Sequence, residues 1–560
     1  MNIGVVLDTT RVPAWQYLLL QQLQDHVSIK LLLLHGATSA DDAGGKPLFY
    51  RMFERYEDAR TQKPPPDACR TMDLEDFLGH VEKVDLEKNE RGQVLQLAED
   101  ARPAAALPSR DLDMILALGR LPASDQLAEL PAQGLWFFRH SHCATSCPSG
   151  WRVGFWEVIR RRPFLYSSLI RRRPGSPDRV LYQSTSAVNY LSHWKSRNQH
   201  LWKLSHFVPR VLRQLHLDVD NTTVRQGTEP GCGNGAAGGV PMTNPKIAPS
   251  LAAYAWWRLR QKIIRKLYVK RWVLLVSRDR TEDFSRYRKL VPPKGRFWAD
   301  PHVIRRNNAW YIFFEDASLA AWRGHISVIE SKDGDTWSEP QMIVSRPYHL
   351  SYPFLLEWQD ELYLIPESGG NRTVELWRCR QFPFDWEFSH NLMHDVPAYD
   401  ATLFEHEGLW WMFANISAHS GASSWDELHL FFAESPLSDN WQPHPLNPVV
   451  SDVRRARPAG RVFQRDGQIY RPSQDSSHRY GYGLNFNQIL ELSKEGYREQ
   501  TVREIRPTWD RNILGVHSYS ESGSLTVVDA IYRSPRFGRQ SEKGCPANKL
   551  FCPQKPSPMS

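Results

Sequence analysis

Between residues 298 and 531 one hairpin pattern is written several times over. "WADPHVIRRNNAWYIFFE" (298–315) aligns without a gap on "AYDATLFEHEGLWWMFAN" (398–415), so Asp300 falls on Asp400, Trp310 on Trp410 and Glu315 on Asn415. "YPFLLEWQDELYLIPE" (352–367) places Tyr352 and Glu367 on the positions of Asp300 and Glu315. "AGRVFQRDGQIYRPSQ" (459–474) places Ala459 and Gln474 there, and "VHSYSESGSLTVVDAI" (516–531) is a fainter copy. Successive spacings are about 52, 48, 59 and 57 residues, and each copy is two aromatic-rich, alternating runs around a polar turn. A unit of this length buries its apolar faces only by stacking on its neighbours. The pattern predicts an all-β five-bladed propeller over residues 272–534. "ISVIESKDGDTW", "VELWRCRQFPFDW" and "LHLFFAESPLSDNW" read as outer strands, each closing on a Trp: Trp337, Trp386 and Trp441.

Residues 1–215 have a different texture. The apolar runs "NIGVVL", "SIKLLLLHG", "LDMILALG" and "GLWFFRH" alternate with helical periodicity such as "AWQYLLLQQLQDH". This alternation predicts an α/β domain with a parallel sheet, its strand ends near Asp8, Gly119 and His140. Residues 216–271 read as a connector: a Gly- and Pro-rich stretch (226–249), then a basic amphipathic helix, "RLRQKIIRKLYVKR" (258–271). Residues 535–560 read as a disordered tail. With 560 residues the chain is too long for one core, and 41% hydrophobic with 24% charged residues is a globular composition.

The net charge of +8 is concentrated in Arg160–Arg162, Arg171–Arg173 and the 258–271 segment rather than spread over one face. That distribution argues against nucleic acid; the 258–271 segment reads as a solvated connector helix, with peripheral contact to an anionic membrane surface or a phosphate-bearing substrate as the alternative. Seven cysteines, no basic leader before an apolar run and no long apolar stretch predict a cytoplasmic protein with reduced thiols. "HSHCATSCP" gathers His140, His142, Cys143 and Cys147, but no second ligand pair follows at zinc-finger spacing, so no metal is expected.

In a hairpin the start of the first strand and the end of the second share one edge. Asp300, Asp400, Glu315 and Glu367 therefore occupy the same edge of neighbouring blades, where carboxyl groups can converge for acid–base chemistry on a glycan. Arg323, Arg372, Arg457 and Arg461 are available ion partners. Trp298, His302, Glu315, Tyr352, Arg461 and Gln474 are the candidate substrate contacts around that edge.

"FWADPHV" with "WYIFFE" resembles the first blade of the five-bladed furanosidase superfamily of arabinanases, invertases and levansucrases. The resemblance implies that Asp300 is a base or nucleophile, with Asp400 and Glu367 as second acid and general acid. Blade two begins "SYPF" and lacks the Asp. Residues 272–532, above all "WQPHPLNPVVSDVRRARPAGRVFQRDGQIYRPSQD", resemble the N-terminal domain of plant glucosamine inositolphosphorylceramide transferase. In that family the transferase chemistry belongs to a separate C-terminal domain, of which this sequence shows no trace.

"DLDMILALG", "GLWFFRHS" and "GFWEVIRRRPFLYSSLIRRRPGSPDRVLYQS" resemble the formyltransferase fold that uses 10-formyltetrahydrofolate. This implies His140 as the group polarising the formyl carbonyl and Asp178 as its acidic partner. Phe138 stands where active members carry an Asn, and a Phe donates no hydrogen bond to an oxyanion. The expected function is glycan or glycoconjugate processing by the propeller. The alternatives are a non-catalytic protein that binds a glycan or sugar nucleotide for a partner glycosyltransferase, and an amino-sugar formyltransferase.

Overall fold

The computed structural model describes residues 1–34, 46–61, 64–88, 94–97, 112–119, 126–129, 131–140, 151–216, 242–279, 283–321 and 323–537. His142, Cys143 and Cys147, most of the Gly-rich connector and most of the tail lie outside the described residues.

The N-terminal runs "VVL", "LLLL" and "MILA" are apolar on both sides, which suits strands covered on both faces. They form the centre of an eight-stranded sheet. Its five parallel strands lie in the order Glu82–Lys88, Ser28–Leu34, Asn2–Leu7, Met114–Ala117, Leu135–His140. The antiparallel hairpin Phe164–Arg172 and Arg179–Ala187 extends one edge, and Val94–Leu97 caps the other. Strand order reverses between Asn2–Leu7 and Met114–Ala117, the crevice where such sheets hold ligands. There Gly119 touches the end of the first strand, and a Cβ on it would stand 2.8 Å from the Asp8 amide nitrogen.

The propeller has five blades. Blade one is Arg296–Arg306, Ala309–Ser318, Gly324–Ser331 and Gln341–Val344; blade two is Ser351–Trp358, Glu361–Ser368, Thr373–Gln381 and Asp385–Met393. Blade three is Ala398–His406, Leu409–Ile416, Leu428–Ala433 and Gln442–Pro443; blade four is Phe463–Arg465, Gln468–Asp475, Gly483–Leu492 and Tyr497–Ile505. Blade five is composite. Its inner strands, Tyr519–Ser522 and Leu525–Pro535, come from the end of the ring, and its outer strands, Tyr268–Ser277 and Arg288–Leu290, come from the beginning. The pairing runs from Tyr268 opposite Pro535 to Ser277 opposite Thr526, and it ties first segment to last. The connector helix accordingly spans Asn244–Leu267, and residues 268–271 of the segment read as helix belong to a strand. The sequence "YVKRWVLLVS" is rich in β-branched and aromatic residues, and a long partner strand overrides the helical register of the preceding turns.

The cores lie between blades. Trp337 packs with the cluster joining blades five and one, Trp386 with blades one and two, and Trp441 with blades two and three. Each outer-strand Trp thus fills the gap to the preceding blade, which explains the periodic Trp.

The α/β domain sits on loops of blades three and four through a buried polar interface. Arg210 pairs with Glu427 at 2.6 and 2.9 Å, and Lys203 with Asp426 at 3.2 Å. Thr185 Oγ1 donates to Asp452 at 2.6 Å, and Trp202 stacks on His419 at 4.1 Å.

Candidate functional site

In each of the first three blades the inner strand slips register once: between Ala299 and His302, Ser351 and Phe354, and Tyr399 and Thr402. Asp300, Tyr352 and Asp400 sit in these slips with φ of 51°, 42° and 54°. A bulge re-aims a side chain, and left-handed backbone at non-glycine residues clusters at functional sites. Each of the three reaches across to another blade. The Tyr352 hydroxyl meets Thr402 Oγ1 at 2.8 Å, the Asp400 carboxylate meets Arg457, and the Asp300 carboxylate faces His517 at 3.6 Å. In blade four the equivalent position is Ala459, which offers no polar group; its neighbour Gly460 sits at φ 139°, and a Cβ on it would stand 2.0 Å from the Tyr519 carbonyl oxygen.

The acids brought together carry different charge environments. Asp400 is clamped by Arg457 Nε at 2.6 Å and Nη2 at 3.2 Å, and accepts a third bond from Gln474 at 3.0 Å. Asp300 is buried and its Oδ1 has no hydrogen-bond donor among the described residues. Burial pushes its pKa up to about 7; His517 pulls against that, and Asp400 and Asp529 add to it. His517 Nδ1 donates to Asp529 Oδ1 at 2.8 Å, and the amides of Asp300, His517 and Ser518 also donate to the Asp529 carboxylate. Burial disfavours both charges, but the pairing outweighs it: Asp529 is held below the usual carboxylate range and His517 above the usual imidazole range. Asp529, His517 and Asp300 therefore form a carboxylate–imidazole–carboxylate relay, with Trp272 stacked on the imidazole at 3.9 Å.

Glu315 lies well above the usual range because it is buried and faces Asp300 and Glu367. Glu367 is raised by burial and by Asp400, while it accepts from Ser351 Oγ at 2.8 Å and the Gly369 amide at 2.7 Å. Asp300, Asp400, Glu315 and Glu367 thus share one electrostatic cluster. Asp300, His517 and Asp529 also offer ligand atoms within 4.8 Å of one another; the hydrogen bonds just described engage His517 Nδ1 and the Asp529 carboxylate and leave Asp300 Oδ1 without a donor among the described residues.

Around the acids lie aromatic faces and unpaired polar atoms. Tyr480 sets its edge to His517 at 5.2 Å and lies under the Arg457 guanidinium at 5.1 Å; Trp425 packs on Tyr480 at 5.4 Å. Both amide atoms of Asn415, Gln474 Oε1 and Ser518 Oγ are buried without a hydrogen-bond partner among the described residues. Buried polar atoms are rarely left so, and groups that both donate and accept hydrogen bonds, such as hydroxyls, are chemically suited to complete them.

Other sequence candidates land elsewhere. Trp298 packs into the core between blades five and one, 5.0 Å from Phe314. His302 is buried between Tyr352 and Phe354, and burial lowers its pKa to about 3. Arg461 is exposed, with its guanidinium over the Phe354 ring at 5.5 Å and donating to the Leu355 carbonyl at 2.7 Å. Both ring nitrogens of His302 and Nε1 of Trp298 are buried without a hydrogen-bond partner among the described residues. His140 bonds Ser167 Oγ at 2.5 Å, and Ser167 in turn meets His200 at 2.7 Å; burial lowers the His140 pKa to about 4. Asp178 pairs with Arg139 at 2.8 Å and Arg172 at 3.0 Å. Arg139 and His140 are successive strand residues and point to opposite faces, so His140 and Asp178 do not meet. His517, Asp529 and Tyr480 were not read from the sequence. In the ungapped alignment His517 falls on Pro301 and Asp529 on Phe313, positions that suggest nothing.

Residues 290–512 match the family model for the N-terminal region of glucosamine inositolphosphorylceramide transferase 1. The propeller resembles that N-terminal domain. The proteins of that name from Oryza sativa subsp. japonica and Arabidopsis thaliana are each 34% identical over 211 residues, 37% of this chain. The match spans only 28% and 27% of those relatives' own lengths. Among solved structures, a family 117 glycoside hydrolase from Zobellia galactanivorans is similar with a TM-score of 0.32 at 14% identity, covering 47% of this chain and 90% of that one. A Bacillus subtilis arabinanase is similar with a TM-score of 0.31 at 13% identity, covering 42% and 93%.

Proposed function

We propose that the acidic end of the propeller binds the sugar portion of a glycoconjugate and acts on it by proton transfer. The observation that carries this reading is the set of neighbouring carboxyl groups held in different electrostatic environments. Asp400 is ion-paired, Asp300 titrates near neutrality beside a His–Asp relay, and burial keeps Glu315 and Glu367 toward the protonated form. Groups pushed apart in this way divide into proton acceptors and proton donors. In this reading Asp300 accepts a proton from the attacking hydroxyl or water, or attacks directly. Glu367 donates to the leaving glycosidic oxygen, and Asp400 with Arg457 fixes the charge between them. The relatives' name, a transferase of an inositolphosphorylceramide, supports a glycolipid-type glycan as the ligand class.

A second reading is favoured by a specific observation: blade two carries Tyr352 where blades one and three carry Asp, and Asp400 is fully engaged by its partners. In that reading the site binds a glycan or sugar nucleotide for a partner glycosyltransferase. Asp300→Asn separates the two on a glycan panel read by binding and by product release. The proton-transfer reading expects parent turnover that falls by about 10²–10⁴-fold in the variant while binding survives. Binding without turnover in the parent leaves the second reading, and a parent that binds no glycan overturns both.

A further inference from the structure

The connector helix presents a second face that the propeller site does not use. Its first half is anchored: Ile247 and Tyr254 are buried, Tyr254 Oη donates to the Tyr190 carbonyl at 2.7 Å, and Arg258 donates to the Leu191 carbonyl at 2.9 Å. Its second half carries Trp256, Leu259, Ile263 and Leu267, which are 68%, 50%, 50% and 50% exposed. At about 100° per residue these four fall within roughly 80° of arc, on the side opposite Tyr254 and Ile247. Arg260 flanks the stripe on one side, and Lys262 and Lys266 flank it on the other. These three and Arg265 are exposed and have no carboxylate partner among the described residues. From Asn244 to Leu267 there are six Lys and Arg and no Asp or Glu. The neighbouring helix Leu48–Asp58, packed on this one through Phe53 and Tyr254 at 6.1 Å, exposes a further apolar row of Leu48, Met52 and Tyr56 with Arg51 and Arg55.

We propose that the helix Asn244–Leu267 seats the protein on an anionic lipid bilayer. An apolar stripe bordered only by cations matches the interface of such a bilayer: the stripe enters the acyl boundary and the cations meet the phosphate and carboxylate headgroups. No helix among the described residues is long and apolar enough to cross a membrane, so the contact lies in the membrane plane. A protein partner matching this face would need a continuous acidic rim around an apolar groove, whereas an anionic bilayer supplies both at every orientation. The inference stands whether or not the propeller site binds a glycan.

The test is flotation of the full chain with phosphatidylcholine vesicles, with and without phosphatidylserine, at physiological salt. Trp256→Ser/Ile263→Ser and Lys262→Glu/Lys266→Glu are the variants. All four positions are exposed, and matching thermal midpoints confirm an intact fold. The parent is expected to float with anionic vesicles, to float far less with neutral ones, and to lose about tenfold or more in either variant. A parent that stays with the soluble fraction, or variants that float like the parent, overturns the proposal. So does a stable dimer of the parent that the Trp256→Ser/Ile263→Ser variant abolishes while vesicles capture neither, because the face then belongs to a second copy of the chain.

Discussion

Replacing Asp300 by Asn removes one charge and little else. Asn has nearly the same shape, tolerates the φ of 51° found here, and still presents an oxygen toward His517. What changes is the dependence of stability on pH. The Asp300 carboxyl rises from an ordinary 3.8 to about 7 on folding, chiefly through burial. The folded state therefore binds this proton more tightly than the unfolded chain. Its contribution is complete below about pH 3.8 and is lost as pH rises through about 7. Integrated over that window the loss is about 4 kcal/mol. The variant has no such proton to lose. Asp300→Asn should therefore match the parent near pH 4 and become more stable than it by up to about 4 kcal/mol at pH 8.5. His517, which keeps its positive charge partly through Asp300, gives some of this back. A realistic gain is about 2–4 kcal/mol, or roughly 5–15 °C in Tm for a domain of this size. Calorimetry or fluorescence melts at half-unit steps from pH 4 to 8.5 read the difference directly. Parallel Tm–pH curves for the two proteins would refute the claim that Asp300 is buried with a perturbed proton. A uniform loss at every pH would show instead that Asn disrupts the bulge.

Three further outcomes follow from the same geometry. Arg457→Ala leaves Asp400 buried without its bidentate partner and should cost about 3–5 kcal/mol in denaturant unfolding, part of which Asp400→Asn restores in the same background. Arg210→Ala strands Glu427 at the domain interface at a similar cost, about 3–5 kcal/mol, and Arg210→Met with Glu427→Gln should recover most of it. Incubation with 10-formyltetrahydrofolate and an amino sugar should give no formylated product, because His140 is spent on Ser167 and Asp178 is paired with Arg139 and Arg172; formyl transfer that His140→Ala abolishes would contradict that reading.

The ring was legible because its signal is repetitive. Two-residue alternation, the polar turns and the outer Trp residues recur at one length, and each has a local physical cause: a pleat, a reversal, a gap between blades. The parallel sheet was legible for a similar reason, as runs such as "LLLL" leave few alternatives. Composite blade five was not legible. Nothing within "YVKRWVLLVS" says that its partner lies more than 250 residues away at Leu525–Pro535, and a basic lead-in suggested a helix. Within the site, Asp300, Asp400, Glu315 and Glu367 could be found by asking which polar residues recur at one edge. His517 and Asp529 escaped because, in the same hairpin register, they fall on Pro301 and Phe313, positions that carry no polar residue in the other copies. Trp298 shares the same edge, but packing between blades five and one turns it into the core, whereas Arg461 stays exposed over the Phe354 ring.

The two domains meet at the end of the ring that holds the acids. Loops 417–427 and 476–482 follow the second strands of blades three and four, whose last residues include Asn415 and Gln474 beside the acidic cluster. The first of these loops carries His419, Asp426 and Glu427, which the α/β domain grips. The second carries Tyr480, which touches His517 and Arg457. A docking surface built from buried ion pairs tolerates few alternatives, because any rotation or slide leaves Lys203, Arg210, Asp426 or Glu427 desolvated and unpaired, at several kcal/mol each. Apolar contact alone would allow such sliding. The α/β domain is therefore a fixed wall on one side of the acidic end rather than a module on a flexible tether.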